Sequence, residues 1–150
     1  MIERATPVRT QLGELHGRNA VYLEEISQKG LTVILTGEIN SDLCRGEAPK
    51  GSWLRYRLSF CGVLAYECRE MEVCRWQTVS SFDEVEDSEW LRQLGLIARA
   101  HELKHELGSM QPRDYVLWTY DWVYRFASTR FELEILGERP KELPKRRREK

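Results

Sequence analysis

Leu31, Val33, Leu35 and Ile39 take alternate positions along residues 31–39, with Thr32, Thr36 and Glu38 on the other parity. Period two with one apolar side predicts a half-buried strand. Residues 19–26 precede it and offer a partner strand, joined through Ser27-Gln28-Lys29-Gly30, where glycine supplies the turn dihedral. The same alternation is clearest over 53–61, where Leu54, Tyr56, Leu58 and Phe60 face one way and Arg55, Arg57 and Ser59 the other. After Gly62 the run 63–76 predicts a further strand, open to a bulge, with Glu67, Glu70, Glu72 and Arg75 as its wet positions. Between residues 115 and 135 aromatic and β-branched residues dominate. Val116, Trp118, Tyr120, Trp122, Tyr124 and Phe126 share one parity, which fits two strands or one long bulged strand ending in residues 131–135.

One segment breaks this period. From Glu89 to Leu107 the apolar residues Leu96, Ala100, Leu103 and Leu107 recur at helical spacing, with Asp87-Ser88 as a start signal and Gly108 as a stop. Gly95 is a point at which this helix could divide. Ser81 with Glu84 three residues on forms a capping-box pattern and marks an earlier helix start. Strands, a helical insertion and more strands predict a β-rich α+β domain, an antiparallel sheet or sandwich of about six strands with helix near residues 88–108.

Composition bounds this picture without changing it. The 150 residues suit one domain, and 41% hydrophobic content is enough for a core that needs no disulfide or metal. A net charge of −1 produces no global field for nucleic acid or an anionic membrane. The polar N-terminal stretch lacks a secretory apolar run, and no window reaches the length of a membrane span. Cys44, Cys61, Cys68 and Cys74 lack paired zinc-knuckle spacing and read as reduced thiols of a cytoplasmic protein. The domain is expected over residues 1–137. Residues 138–150 form a charged tail without apolar period, expected to be disordered; its last ten residues carry six Lys or Arg against two Glu.

Three features could carry chemistry. His101-Glu102-Leu103-Lys104-His105 places two imidazoles one helical turn apart around a glutamate. This string, with Gly108, resembles the H-E-x-x-H-x-x-G signature of the zincin metalloproteases. The resemblance implies zinc held by His101 and His105 with Glu102 as the base on metal-bound water. It covers eight residues, and Gln111 stands where the metzincin branch has its third histidine. A solvated, Glu-rich helix face is the preferred reading. The second feature is the aromatic stripe: Trp118, Tyr120, Trp122 and Tyr124 are core residues of a sandwich or, where exposed, a ring-stacking surface for a ligand or partner. The third is the basic tail, which could touch RNA, DNA or an acidic partner. The acidic run Asp83, Glu84, Glu86, Asp87 and Glu89 lacks calcium-loop spacing and reads as charge at helix starts or as a docking surface before Trp90. No glycine-rich phosphate loop and no Gly-x-Ser-x-Gly elbow occurs. The expected function is a non-enzymatic binding or protein-interaction domain of unknown ligand, with no membrane partner. The alternatives are a zinc hydrolase and a nucleic-acid-associated factor.

Overall fold

The strands alternate as the hydrophobic pattern requires, but bends cut the longer runs into shorter elements. A computed structural model describes residues 3–108 and 110–141. In chain order these hold β1 (Arg4–Pro7), β2 (Glu14–Leu15), β3 (Val21–Lys29), β4 (Thr32–Asn40), a 3-10 turn (Ser41–Leu43), β5 (Cys44–Arg45), β6 (Ser52–Cys61), β7 (Ala65–Glu70) and β8 (Phe82–Glu86). The helices α1 (Glu89–Gln93), α2 (Leu96–Glu102) and α3 (Lys104–Leu107) follow, then β9 (Arg113–Trp118), β10 (Trp122–Ser128) and β11 (Arg130–Pro140). The fold is the antiparallel, β-rich α+β class expected. A five-stranded sheet runs β1-β8-β9-β10-β7, a four-stranded sheet runs β11-β6-β4-β3, and β2 pairs with β5.

One bent ribbon joins the two large sheets. β6 pairs with β11 in the four-stranded sheet, and their continuations β7 and β10 pair in the five-stranded sheet. The bend falls at Gly62 on one strand and at Thr129 on the other, so both strands change sheets side by side. Gly62 has φ +62°, and a Cβ there would lie 2.5 Å from Thr129 Oγ1. The Cys61 carbonyl accepts from the Thr129 N–H and hydroxyl, each at 3.0 Å, which clamps the corner.

The sheets share a core centred on Phe60, which stacks on Phe126 at 4.0 Å and meets Phe82 edge-on. Val33, Leu35, Leu54, Tyr56 and Leu58 supply one side of that core and Tyr115, Leu117 and Phe126 the other. The outer face of the five-stranded sheet is covered as well. Leu91 and Leu96 of the helices pack on Ala127, while Cys74 and Trp76 pack on Val116 and Val123. Covering both faces explains why β10 is buried at every position after Trp122.

Several local expectations change. The β3–β4 ladder runs to Lys29–Thr32, so the turn is only Gly30-Leu31, and Ser27 to Lys29 belong to the strand. The segment after Gly62 is strand only through Glu70, where a turn takes over. Its edge position leaves Tyr66 and Cys68 exposed while Glu67 is half-buried. Ser81 caps no helix: its hydroxyl donates to Gly17 C=O, and Phe82 onward pairs with β9. The helix begins instead at Ser88, whose hydroxyl accepts from Leu91 N–H, and it divides at Gly95 as the glycine allows. β11 keeps its pairing through Pro140, three residues beyond the expected domain end at 137. The rest of the basic tail, 142–150, lies outside the described residues. Among the described residues no helix is long and apolar enough to cross a membrane.

Candidate functional site

The aromatic stripe does not occupy one face, because a hairpin interrupts it. Thr119 N–H donates to Trp122 C=O at 2.9 Å, and residues 119–121 turn the chain between β9 and β10. The Thr119 hydroxyl also donates to Trp122 C=O, at 2.6 Å, so the turn is held twice. The register pairs Trp118 with Val123 and Leu117 with Tyr124, so an even number of residues separates each pair and the parity reverses between the strands. Val116 and Trp118 therefore point to the outer layer, whereas Tyr124 and Phe126 point to the core between the sheets.

The four stripe residues proposed for a site separate accordingly. Trp118 is half-buried in the outer layer, and its indole Nε1 is buried with no hydrogen-bond partner among the described residues. Tyr124 is buried, with only 8% exposure. Tyr120 and Trp122, at the hairpin end, are exposed at 38% and 45%. These two, with Tyr124, line a notch of about 110 Å³ that Tyr22, Leu23, Thr119 and Asp121 complete.

Tyr22 comes from β3 of the opposite sheet, so the notch lies where the two sheets open toward solvent. Its ring stacks on Tyr120 at 5.1 Å and 16°, and meets Trp53 edge-on at 5.3 Å. Arg18 lies over the Tyr120 ring, with its guanidinium carbon 5.2 Å from the ring centre. Tyr22 is placed by backbone: its C=O accepts from the Tyr56 hydroxyl at 3.1 Å, and Tyr120 N–H donates to the neighbouring Val21 C=O at 3.0 Å. Burial pushes the Tyr124 phenol up, and Cys68 and Tyr66 beside it add to the shift. Burial likewise raises Tyr56, with Glu24 and Tyr124 contributing. Both phenols stay neutral across physiological pH, so they offer rings and hydroxyls rather than charge. Among the described residues, Asp121 is the one carboxylate lining the notch.

No family model, no curated protein and no solved structure matches this chain. Function therefore rests on the chemistry of its own surfaces.

The two histidines occupy a different surface. His101 is the last residue but one of α2 and His105 the second residue of α3, and Leu103, at φ −96° and ψ 20°, breaks the helix between them. Both still line one cleft of about 490 Å³ with Ala100, Lys104, Gly108, Met110 and Gln111. Glu102 is not in that cleft; its carboxylate accepts from Arg99 at 2.9 Å. Among the described residues no set of three His, Cys, Asp or Glu is gathered for a metal. Two imidazoles beside an ammonium are a poor fit to catalytic zinc, which takes three protein ligands and a water.

Sequence reasoning missed two groups. Tyr22 sits among the apolar positions of β3, and its pairing with the hairpin depends on sheet closure that no local pattern records. Arg125 stands on the wet parity of the stripe, yet it is only 5% exposed and forms a two-pronged ion pair with the fully buried Asp114, at 2.8 and 2.5 Å. Its guanidinium carbon is also 5.0 and 5.5 Å from the ring centres of Trp90 and Trp76, and its Nη2 reaches a Glu3 carboxylate oxygen at 3.5 Å. The acidic run is likewise dispersed: Asp83 is buried and accepts from Val79 N–H at 2.6 Å, while Glu89 opens α1.

Proposed function

We propose that this chain is a non-catalytic binding domain whose contact surface is the notch between the β9–β10 hairpin end and β3. The observation that carries this reading is the pairing of exposed Tyr120 and Trp122 with Tyr22 around a small concave space. Exposed aromatics held rigid by a doubly hydrogen-bonded turn are costly to leave in water and favourable to cover. A volume of about 110 Å³ matches one ring, since apolar cavities of about 150 Å³ take up benzene. The occupant is thus a ring-bearing group, either of a small ligand or of a partner protein, oriented by hydrogen bonding to Asp121.

The test uses p-cresol and methyl β-glucoside as ring probes, followed by amide chemical shifts. Shifts confined to residues 22–23 and 119–124, and lost in Trp122→Ala, are expected. Because Trp122 opens β10 at 45% exposure, that substitution should cost about 1–2 kcal/mol and leave the chain folded. Uniform weak shifts over the surface, or shifts that survive Trp122→Ala, would refute the assignment. A zinc-dependent reading has one observation in its favour, the shared cleft of His101 and His105. Calorimetric titration with zinc checks it, and heat unchanged by His101→Ala ends it.

A further inference from the structure

A sheet edge is a row of unpaired backbone donors and acceptors, and folded chains normally blunt it. Three of the four edges of the two large sheets are blunted. β1 is four residues long and ends in Pro7. β3 carries a bulge between Leu23 and Glu25. β11 carries one between Ile135 and Gly137 and ends in Pro140. β7 has neither bulge nor proline and keeps an unbroken register against β10 from Ala65 to Glu70.

The orientation of the β7 backbone follows from its neighbours. Thr119 N–H bonds to Trp122 C=O, so Tyr124, Phe126 and Ser128 exchange their backbone bonds with β9, and Val123, Arg125 and Ala127 with β7. Their β7 partners are Arg69, Glu67 and Ala65. Met71 N–H donating to Asp121 C=O continues the same alternation. Tyr66, Cys68 and Glu70 therefore turn their N–H and C=O groups outward. Among the described residues nothing bonds to those of Tyr66 and Cys68, and both side chains are exposed. Only the Glu70 C=O is used, by Val73 and Cys74 in the following turn.

We propose that this edge is the seat of a second copy of the chain: two β7 strands pair antiparallel about a two-fold axis at Cys68, fusing the two five-stranded sheets. Charge selects both occupant and register. With outward groups facing each other, a two-fold axis can pass at residue 67, 68 or 69. An axis at 67 sets Glu67 against its own copy, and one at 69 sets Arg69 against its own copy. An axis at Cys68 sets Glu67 opposite Arg69 of the second copy, twice over, in the closer, non-hydrogen-bonded pair positions. It also sets Tyr66 opposite Glu70 of the second copy, on the face that carries Trp122. An edge of six residues is small against the roughly 1,200 Å² of a stable dimer, so the association is weak and concentration-dependent.

The experiment is sedimentation equilibrium of the reduced full chain at up to millimolar concentration. The wild type should dimerise. Glu67→Arg alone and Arg69→Glu alone should each weaken self-association roughly tenfold, because each sets like charges opposite one another twice. Mixing the two variants should restore a heterodimer, since every cross-strand pair is then of opposite sign. Cys68→Pro should remove association; proline is tolerated on an edge where the N–H faces outward. Oxidation with diamide supplies an independent readout of the axis. Two Cys68 thiols give two electrons and two protons to the diazene, which becomes a hydrazine, and one S–S bond forms. Opposed Cα atoms at about 5.5 Å lie within disulfide range. Covalent dimer should form in wild type and in Cys61→Ser, and should fall in Arg69→Glu. A monomer at millimolar concentration, self-association indifferent to both charge variants, or a mixture no tighter than its components would overturn the proposal, the first outcome leaving the edge to some other strand.

Discussion

The most consequential single contact is the ion pair of Arg125 with Asp114. A guanidinium and a carboxylate, both almost without solvent, stabilise a fold only while each satisfies the other. Asp114 also accepts from the Ser88 hydroxyl at 2.5 Å, and that hydroxyl caps α1, so one carboxylate ties the helix start to the sheet. Asp114→Ala should therefore cost about 3 kcal/mol in urea unfolding, because it leaves a buried cation with only the longer, half-exposed contact to Glu3 at 3.5 Å. Replacing both partners, Asp114→Leu with Arg125→Met, should cost distinctly less, since no charge then remains buried. Equal losses in the two variants would show that shape rather than charge is what the layer requires. Sequence could not announce this pair. Arg125 occupies the position that alternation assigns to solvent, and only the helices and Trp76 laid over the sheet make it interior.

Elements were legible where one face meets the core and the other meets water. β6 is the clear case: Leu54, Tyr56, Leu58 and Phe60 are all buried and the residues between them are not. The pattern misled where a strand is covered on both sides or on neither, as in β10 and β7. It misled again at Ser81, where a local capping signature lost to pairing with β9, which offers a whole ladder against one hydrogen bond. The notch was half legible. Tyr120 and Trp122 stood out by type, whereas the partner Tyr22 depends on how β3 bends. That bend has an identifiable cause in Gly37, opposite Leu23 at the β3 bulge. A Cβ on Gly37 would lie 1.9 Å from Tyr22 C=O, and backbone cannot yield cheaply there. Gly37→Ala should destabilise the chain by about 1–3 kcal/mol or more in chemical denaturation. Tyr22 should be displaced with it, read as altered ring-current shifts at Tyr120. Unchanged Tyr120 resonances in a folded variant would show that the bulge does not position the notch.

At the scale of the whole molecule, the bent ribbon makes the two sheets one mechanical unit, and its far end is held by charge. Lys141, just past β11, donates to Asn40 at 2.5 Å and Asp42 at 2.6 Å, while its N–H bonds to Gly51 C=O. Asp42 in turn accepts from Gly51 N–H at 2.7 Å. The Lys141 ammonium first, and then the Gly51 N–H, hold the Asp42 carboxyl below its usual range, against a smaller opposing effect of burial. The folded state thus binds a proton at Asp42 less readily than the unfolded chain. The contribution is complete above the ordinary aspartate value, about pH 4, and is lost as pH falls from there through the depressed folded value. Acidification should release the end of the ribbon before its bend. Hydrogen exchange should then lose protection at residues 137–141 at a higher pH than at 131–135, where Phe131 and Leu133 pack on the core. Asp42→Asn keeps an acceptor for Gly51 but has no proton to gain, so its 137–141 segment should be less protected near neutrality and indifferent to pH over that range. The same acid-dependent loss in Asp42→Asn would place the latch elsewhere, with the bidentate pair of Arg139 and Glu38 next to be tried.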